Sequence, residues 1–540
     1  MGKLKEQIYI NRWLDLKPYD SPCSTDGYYL ELCNLVKKTM ITNKQSFMLQ
    51  NHLDKDEIDV MACFLTSYFE DLISGTRIWD TFIKVHKRSY KKVLPFYEID
   101  EYYEQEINLP DIYFLIWYFM NTVQQDKFIS PFMEYIIEIS ETVMDVFENA
   151  WEYAPENEYL KAFYSIDEKE TDFYLARNLI DNVLFKSYLF YPDTLLDLRD
   201  GEMEMIEESK NDENLINFLN DNRDHKLYNT YTRLLGLKGQ EWVAEILGDG
   251  HSLSKHYRKI SKKISGYFFY KGQDEEDVFL EHIASGKQFK LTKKSFGHYG
   301  GLKDIDTILF MGIAEWRNEW WFSGVYFQSD FNPDLVLDEK NSVKSRSVVN
   351  FLDYQKKDMD EILNEQLKAF KMFNNKQQIA FMQSDEIEFF TGNFIETFNA
   401  SLNLSQKEKE EAKQRARNDG FLGSEHEKKD FSRVSESGLV FFNPKSGVEI
   451  ALAVNSAFPI KNNPYFNESE SEEHIIRLFF TEGLSTELTM YCIDNFKHEL
   501  KFFETVEGKM YLDNIDFLLR FWKRGNYHTK PSITFTGVDH

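Results

Sequence analysis

Asp494 and the triplet Glu507-Gly508-Lys509 bring two acids and a lysine into a stretch rich in short apolar runs. Two carboxylates sharing a Mg²⁺ ion, with a lysine beside them, can activate water against a phosphodiester. Glu449, inside an expected hairpin upstream, is a partly buried carboxylate that would complete the set. A plainer reading makes Glu507-Gly508-Lys509 a hairpin turn. The nuclease-like reading therefore requires Glu449, Asp494, Glu507 and Lys509 to converge in a cleft.

A second constellation is Ser252-x-x-Lys255, Ser401-x-Asn403 and Lys445-Ser446-Gly447, in that chain order. It resembles the three motifs of penicillin-binding proteins and β-lactamases, in which a lysine activates the serine at a helix start. That chemistry needs Lys445 on a core strand, whereas the sequence places it in a turn. Three basic clusters interleave cations with rings: Lys84 to Lys92, Lys255 to Lys263, and Arg520 to Arg524. Rings stack on bases while cations meet phosphates, so each could grip a single strand. Equally, each could pair with acidic runs such as Glu202 to Glu213. Trp316, Trp320 and Trp321 could form a platform for a peptide or a base, or serve as barrel core. No phosphate-cradling glycine loop of the G-x-x-x-x-G-K type and no H-E-x-x-H pair occurs. His251 and His256 are spaced onto different helix faces, so no metal site and no cofactor is expected.

Composition narrows the partners. The 540 residues carry a net charge of −27, a field that opposes polyanions except through a local basic patch. With 46 Phe, 30 Tyr and 9 Trp, aromatic-rich cores are expected. Cys23, Cys33, Cys63 and Cys492 are scattered without a C-x-x-C pair, which supports neither a disulfide framework nor a thiolate zinc site. The opening MGKLKEQIYINRW has no apolar signal region, and it lacks the hydroxyl residue a myristoylation signal wants. The longest apolar run, Ile112 to Met120, is too short to span a bilayer and reads as a core helix. A cytoplasmic location is expected, with no membrane partner.

The elements that must position these residues follow from periodicity. Residues 1–265 read as a helical domain, with stripes over Asp56 to Leu72, Asp111 to Val123, Pro131 to Phe147, Thr171 to Tyr188 and Asn229 to Leu247. Ser252 reads as the cap of a basic amphipathic helix, Leu253 to Ile264, with Lys255, Arg258, Lys259, Lys262 and Lys263 on one face. At Gly266 the period shortens to two. Five short runs over residues 266–330, separated by turn residues, predict a small SH3-like or OB-like β-barrel. Residues 331–352 read as a linker. Helices resume over 353–430, where Ser405 and Glu408 form a capping box and Gly420 a stop. Residues 431–540 read as α+β, with hairpins around Asn443 to Gly447 and Glu507-Gly508, helices over Ser471 to Phe480 and Asp513 to Lys523, and a last strand, Ser532 to Phe535. The fold class is thus α+β, predominantly helical.

Two stretches, Ile8 to Asn34 and Asp516 to Pro531, resemble the opening and the ending of a bacterial domain-of-unknown-function family. The resemblance implies a bacterial cytoplasmic protein and carries no catalytic residue with it. The leading expectation is a binding or regulatory protein with a protein partner. Its contact surface would be Trp316, Trp320, Trp321 and the basic helix. Nucleic acid, bound through local basic patches or cut by the C-terminal carboxylates, is the alternative.

Overall fold

The computed structural model describes residues 7–124, 128–210, 212–342, 345, 346, 348, 349, 356–402, 405–407, 410 and 431–529. It divides into two compact units, Met1–Val348 and Val349–His540. The Ser405/Glu408 capping box, the Gly420 stop, Asn403 and the strand expected over Ser532 to Phe535 involve residues outside the described ones.

In the first unit the helix Lys55–Ser74 is central. Asp54 accepts from the Glu57 amide at 2.8 Å, and Glu57 accepts from the Asp54 amide at 2.6 Å, a reciprocal cap. Gly75, at φ 62°, ends it in the left-handed conformation. Its apolar stripe, Ile58, Met61, Phe64, Leu65, Tyr68 and Phe69, is buried. Each such side chain contributes about 1.5–3 kcal/mol of burial. Phe64 meets Tyr118, Phe119 and Tyr188 at centroid distances of 6.1, 5.5 and 5.7 Å. Tyr118 and Phe119 lie on Leu109–Val123, a buried core helix. Among the described residues no helix is long and apolar enough to cross a membrane. One ion pair is sealed in this core. The Lys17 ammonium meets the Glu70 carboxylate and donates to Ser67 Oγ at 3.0 Å, and Asn157 Nδ2 donates to Glu70 at 2.8 Å.

Two helical expectations are corrected. The stripe over Asn229 to Leu247 is not one helix: the helix Leu215–Asn229 ends where it begins, and the next helix spans Gly239–Leu247. Leu235 and Gly236, both at positive φ, fold the intervening chain back so that Tyr231 bridges Lys238. The basic helix is a single turn, Ser254–Tyr257. Ser252 does not cap it; its hydroxyl donates to the Glu168 carbonyl at 2.6 Å. By Ile264 the chain is already a strand.

That strand opens a closed five-stranded barrel: β1 Ile264–Gln273, β2 Asp277–His282, β3 Gln288–Thr292, β4 Ile308–Trp316 and β5 Glu319–Ser329. The order around the barrel is β1-β2-β3-β5-β4, antiparallel except where β3 meets β5 at Leu291↔Trp320. This non-sequential, Greek-key closure matches the OB-like of the two expected architectures. Phe268, Val278, Leu280, Leu291, Leu309, Met311 and Ile313 are buried in the barrel. Arg317 and Asn318, at φ 52° and 66°, make the two-residue turn between β4 and β5. The stretch expected as a linker contains a helix, Pro333–Asn341, capped by Asn332. Its Leu335 and Val336 pack on Phe269, Ile283 and Ile308.

In the second unit β6 Ile379–Gln383, β7 Ser437–Asn443 and β8 Gly447–Leu452 form an antiparallel sheet in that order. Phe370 from the helix Lys356–Phe373 and Phe394 from the helix Ile387–Ser401 pack with Val440 and Phe442 on one face. The hairpin expected around Glu507-Gly508 is instead a 3₁₀ turn, Lys501–Glu504, and a helix, Val506–Asp513. Thr505 caps that helix, accepting from the Gly508 amide at 2.9 Å. Gly508 lies so close to the Phe502 backbone that no Cβ fits there.

Candidate functional site

The barrel is mounted on the helices by Lys263, the residue before β1. Its ammonium is buried between Asp221 at 2.5 Å and Asp224 at 2.9 Å, both on Leu215–Asn229. Asp224 also accepts from Ser323 of β5 and from Arg177. Two glycines make room for this side chain. A Cβ at Gly312 would collide with Lys263 Cε, and one at Gly324 would lie 2.5 Å from its Nζ. Gly312 also sits at the register shift between Met311 and Ile313. Lys263 is therefore an anchor, not a contact residue.

The three tryptophans divide. Trp316 is buried against Tyr257, 5.2 Å between ring centroids, and His256. Trp321 is buried against Phe173 and Tyr174 at 5.7 and 6.2 Å. Both close the seam between barrel and helices, which removes them from an exposed platform. Only Trp320 is half-exposed. Phe289 stands perpendicular to it, 4.9 Å away, and fixes the ring.

Trp320 belongs to a groove of about 810 Å³ lined by Glu275, Glu276, Asp277, Phe289, Lys290 and Asn318 among others. These positions come from the β1–β2 loop, the β2–β3 pair and the β4–β5 turn. The volume is in the range of ligand pockets, roughly 300–1,000 Å³. The Lys293 ammonium reaches the Asp274 carbonyl and lies 4.6 Å from the Tyr299 ring. Lys294 pairs with Glu319 at 2.8 Å. Burial and the neighbouring charges of Asp274 and Glu276 push the Asp277 carboxyl above its ordinary value. Of these groove residues the sequence points to Trp320 alone, because a run of acids between strands reads as a solvated turn.

Of the remaining basic residues, Lys255, Arg258 and Lys259 are exposed and Lys262 is half-buried. Arg258 answers Glu245 at 3.2 Å and Asp249 at 3.0 Å. Their turn packs on Trp316, at the barrel end that carries the Arg317-Asn318 turn.

The C-terminal carboxylates do not join one another. Glu449 on β8 accepts from the Ser485 amide at 2.8 Å, the Ser485 hydroxyl at 2.5 Å and Asn443 Nδ2 at 3.2 Å. Its neighbour through Asn443 is Glu487, which pairs with Lys445 at 2.5 Å. Burial raises the Glu487 carboxyl, but Lys445 and Thr529 outweigh it and hold the group below the usual range. Asp494 is exposed on the helix Thr486–Phe496, and Glu507 and Lys509 are exposed on Val506–Asp513. Among the described residues no group of three or more His, Cys, Asp or Glu is placed to hold a metal ion. The Glu449 cluster ties the β7–β8 hairpin to the start of Thr486–Phe496.

The fold and groove thus define a helical protein carrying a small Greek-key barrel with an open, mixed-charge, partly aromatic cleft. The chain belongs to the family described as "Protein of unknown function (DUF3843)", whose model matches residues 7–276. That match covers the helices that precede the barrel, together with β1, and ends at the first groove residues. It does not reach Asp516 to Pro531, where a likeness was also expected. No curated protein and no solved structure matches the chain.

Proposed function

We propose that this is a cytoplasmic binding protein whose barrel groove, centred on Trp320, is the contact surface for a protein partner. The observation that carries this reading is the coincidence of a groove of about 810 Å³ on the barrel with its one half-exposed tryptophan, on the face formed by β2, β3 and the two flanking loops. A tryptophan ring held in place by a neighbouring side chain is a common anchor of a protein contact once the partner covers it. Lys255 and Lys259 lie on the turn against Trp316 and extend the surface at that end. The buried Cys33 and Cys63 stand as free thiols, Cys33 Sγ donating to Cys63 Sγ at 3.4 Å, which suits a reducing cytoplasmic setting.

Site-specific photocrosslinking tests the reading. A benzophenone side chain at Asn318 should give a discrete adduct in native cells that Trp320→Ala abolishes. The same group at Glu204, exposed on the helix Leu196–Glu208, should give none. Equal adducts at both positions, or none at Asn318, would remove the groove from consideration.

A further inference from the structure

The groove's charges are unevenly answered. Asp274, Glu275, Glu276 and Asp277 follow one another through the β1–β2 loop into β2. Asp274 is committed to the turn, accepting from the amides of Glu276 at 2.9 Å and Asp277 at 2.7 Å. Glu275 and Glu276 are exposed, and among the described residues neither makes an ion pair. On the other side, Lys294 is spent on Glu319, and Lys293 on the Asp274 carbonyl and the Tyr299 ring. Lys290 lies 5.9 Å from the Phe279 ring. The lining therefore offers a ligand more unanswered negative than positive charge, beside an aromatic face.

We infer that the groove takes a basic peptide segment, with an Arg or Lys side chain against the Trp320 ring and its charge answered by Glu275 and Glu276. The inference rests on the binding reading above and adds the class of partner. Three physical points favour it over a nucleic-acid strand. A phosphate entering here would face Glu275, Glu276 and Asp277, which outnumber Lys290 and Lys293, the lining lysines without a carboxylate partner among the described residues. A cation gains from the indole face as well as from the carboxylates. The net charge of −27 draws cations and repels polyanions at long range.

The test uses the full chain and four fluorescein-labelled probes: octamers of alternating Arg-Gly, Glu-Gly and Gln-Gly, and an eight-nucleotide oligothymidine. Fluorescence anisotropy should show the Arg-Gly probe binding, weakening with salt. Its affinity should fall about tenfold in Trp320→Ala and in Glu275→Gln/Glu276→Gln, a loss equivalent to one cation–π contact or one exposed charge pair in a partly desolvated site. Glu207→Gln/Glu208→Gln, the same loss of charge on an exposed helix, should leave it unchanged, and Trp320→Phe should retain most of it. Equal weakening by both double variants would show attraction to net charge alone and overturn the inference. Trp320-dependent binding of the Glu-Gly probe or the oligothymidine would overturn it too, while leaving the groove as the contact surface. Trp320-independent behaviour of every probe would sink both.

Discussion

Replacing Lys523 by Met should alter how the second unit's stability depends on pH. Lys523 ends the helix Ile515–Lys523 and is buried. Its Nζ donates to the carbonyls of Leu478 at 3.0 Å, Thr481 at 3.2 Å and Leu484 at 2.8 Å, closing the C-terminus of the helix Ser471–Phe480. Burial pushes the amine down to about 7, against the pull of Glu449, Glu487 and Glu482. In the unfolded chain a lysine titrates near 10.4, so between about pH 7 and 10 the unfolded state holds more protons. Stability from this group therefore rises with pH across that window and is lowest below it. Between pH 7 and 9 the gain is about 2 kcal/mol. Cys492, buried on Thr486–Phe496, is the one cysteine of the second unit and reports its opening. Pulsed alkylation of Cys492 along a urea gradient, at several pH values, gives the free energy of that opening. The difference between wild type and Lys523→Met should grow by about 2 kcal/mol from pH 7 to 9. A flat difference would refute the reasoning, because it would mean that the three carbonyls keep the amine charged throughout.

Three further outcomes follow. Lys17→Met should cost about 3–5 kcal/mol in urea melts by stranding the Glu70 carboxylate, and Lys17→Met/Glu70→Leu should recover most of it; an additive double variant would contradict this. Trp316→Ala should cost about 3–5 kcal/mol and Trp320→Ala about 1 kcal/mol, and equal losses would place Trp320 in the core rather than the groove. Burial pushes the Cys33 and Cys492 thiols up, and Cys63 is fully buried, so native protein should expose only the half-buried Cys23 to an aromatic disulfide reagent, with four thiols after unfolding; prompt reaction of two or more would be inconsistent with the packing.

The barrel was legible because alternation and turn residues agree along it, down to the Arg317-Asn318 turn. The core helix around Ile112 to Met120 was legible because a continuous apolar run of that length has nowhere else to go. What escaped depends on partners distant in sequence. β6 is a five-residue run between helices, too short for any period to declare itself. The helix over Val506–Asp513 hid behind Glu507-Gly508, a pair that reads as a turn; Thr505, a fitting cap, was the overlooked signal. Trp316 and Trp321 could not be told from Trp320 in the sequence, because Tyr257, Phe173 and Tyr174 decide their burial. The basic stripe ending at Lys263 imitated a helix face, since a lysine bound for a buried ion pair looks like one bound for solvent.

Lys263 works as a key in a lock cut by Gly312 and Gly324. The barrel cannot be cut out along its own strands without abandoning Asp221 and Asp224 on the helices, so a fragment beginning at Ile264 should be a poor surrogate for it. By the same token the groove is tied to its support, because Trp320 shares β5 with Ser323, whose hydroxyl donates to Asp224 on Leu215–Asn229.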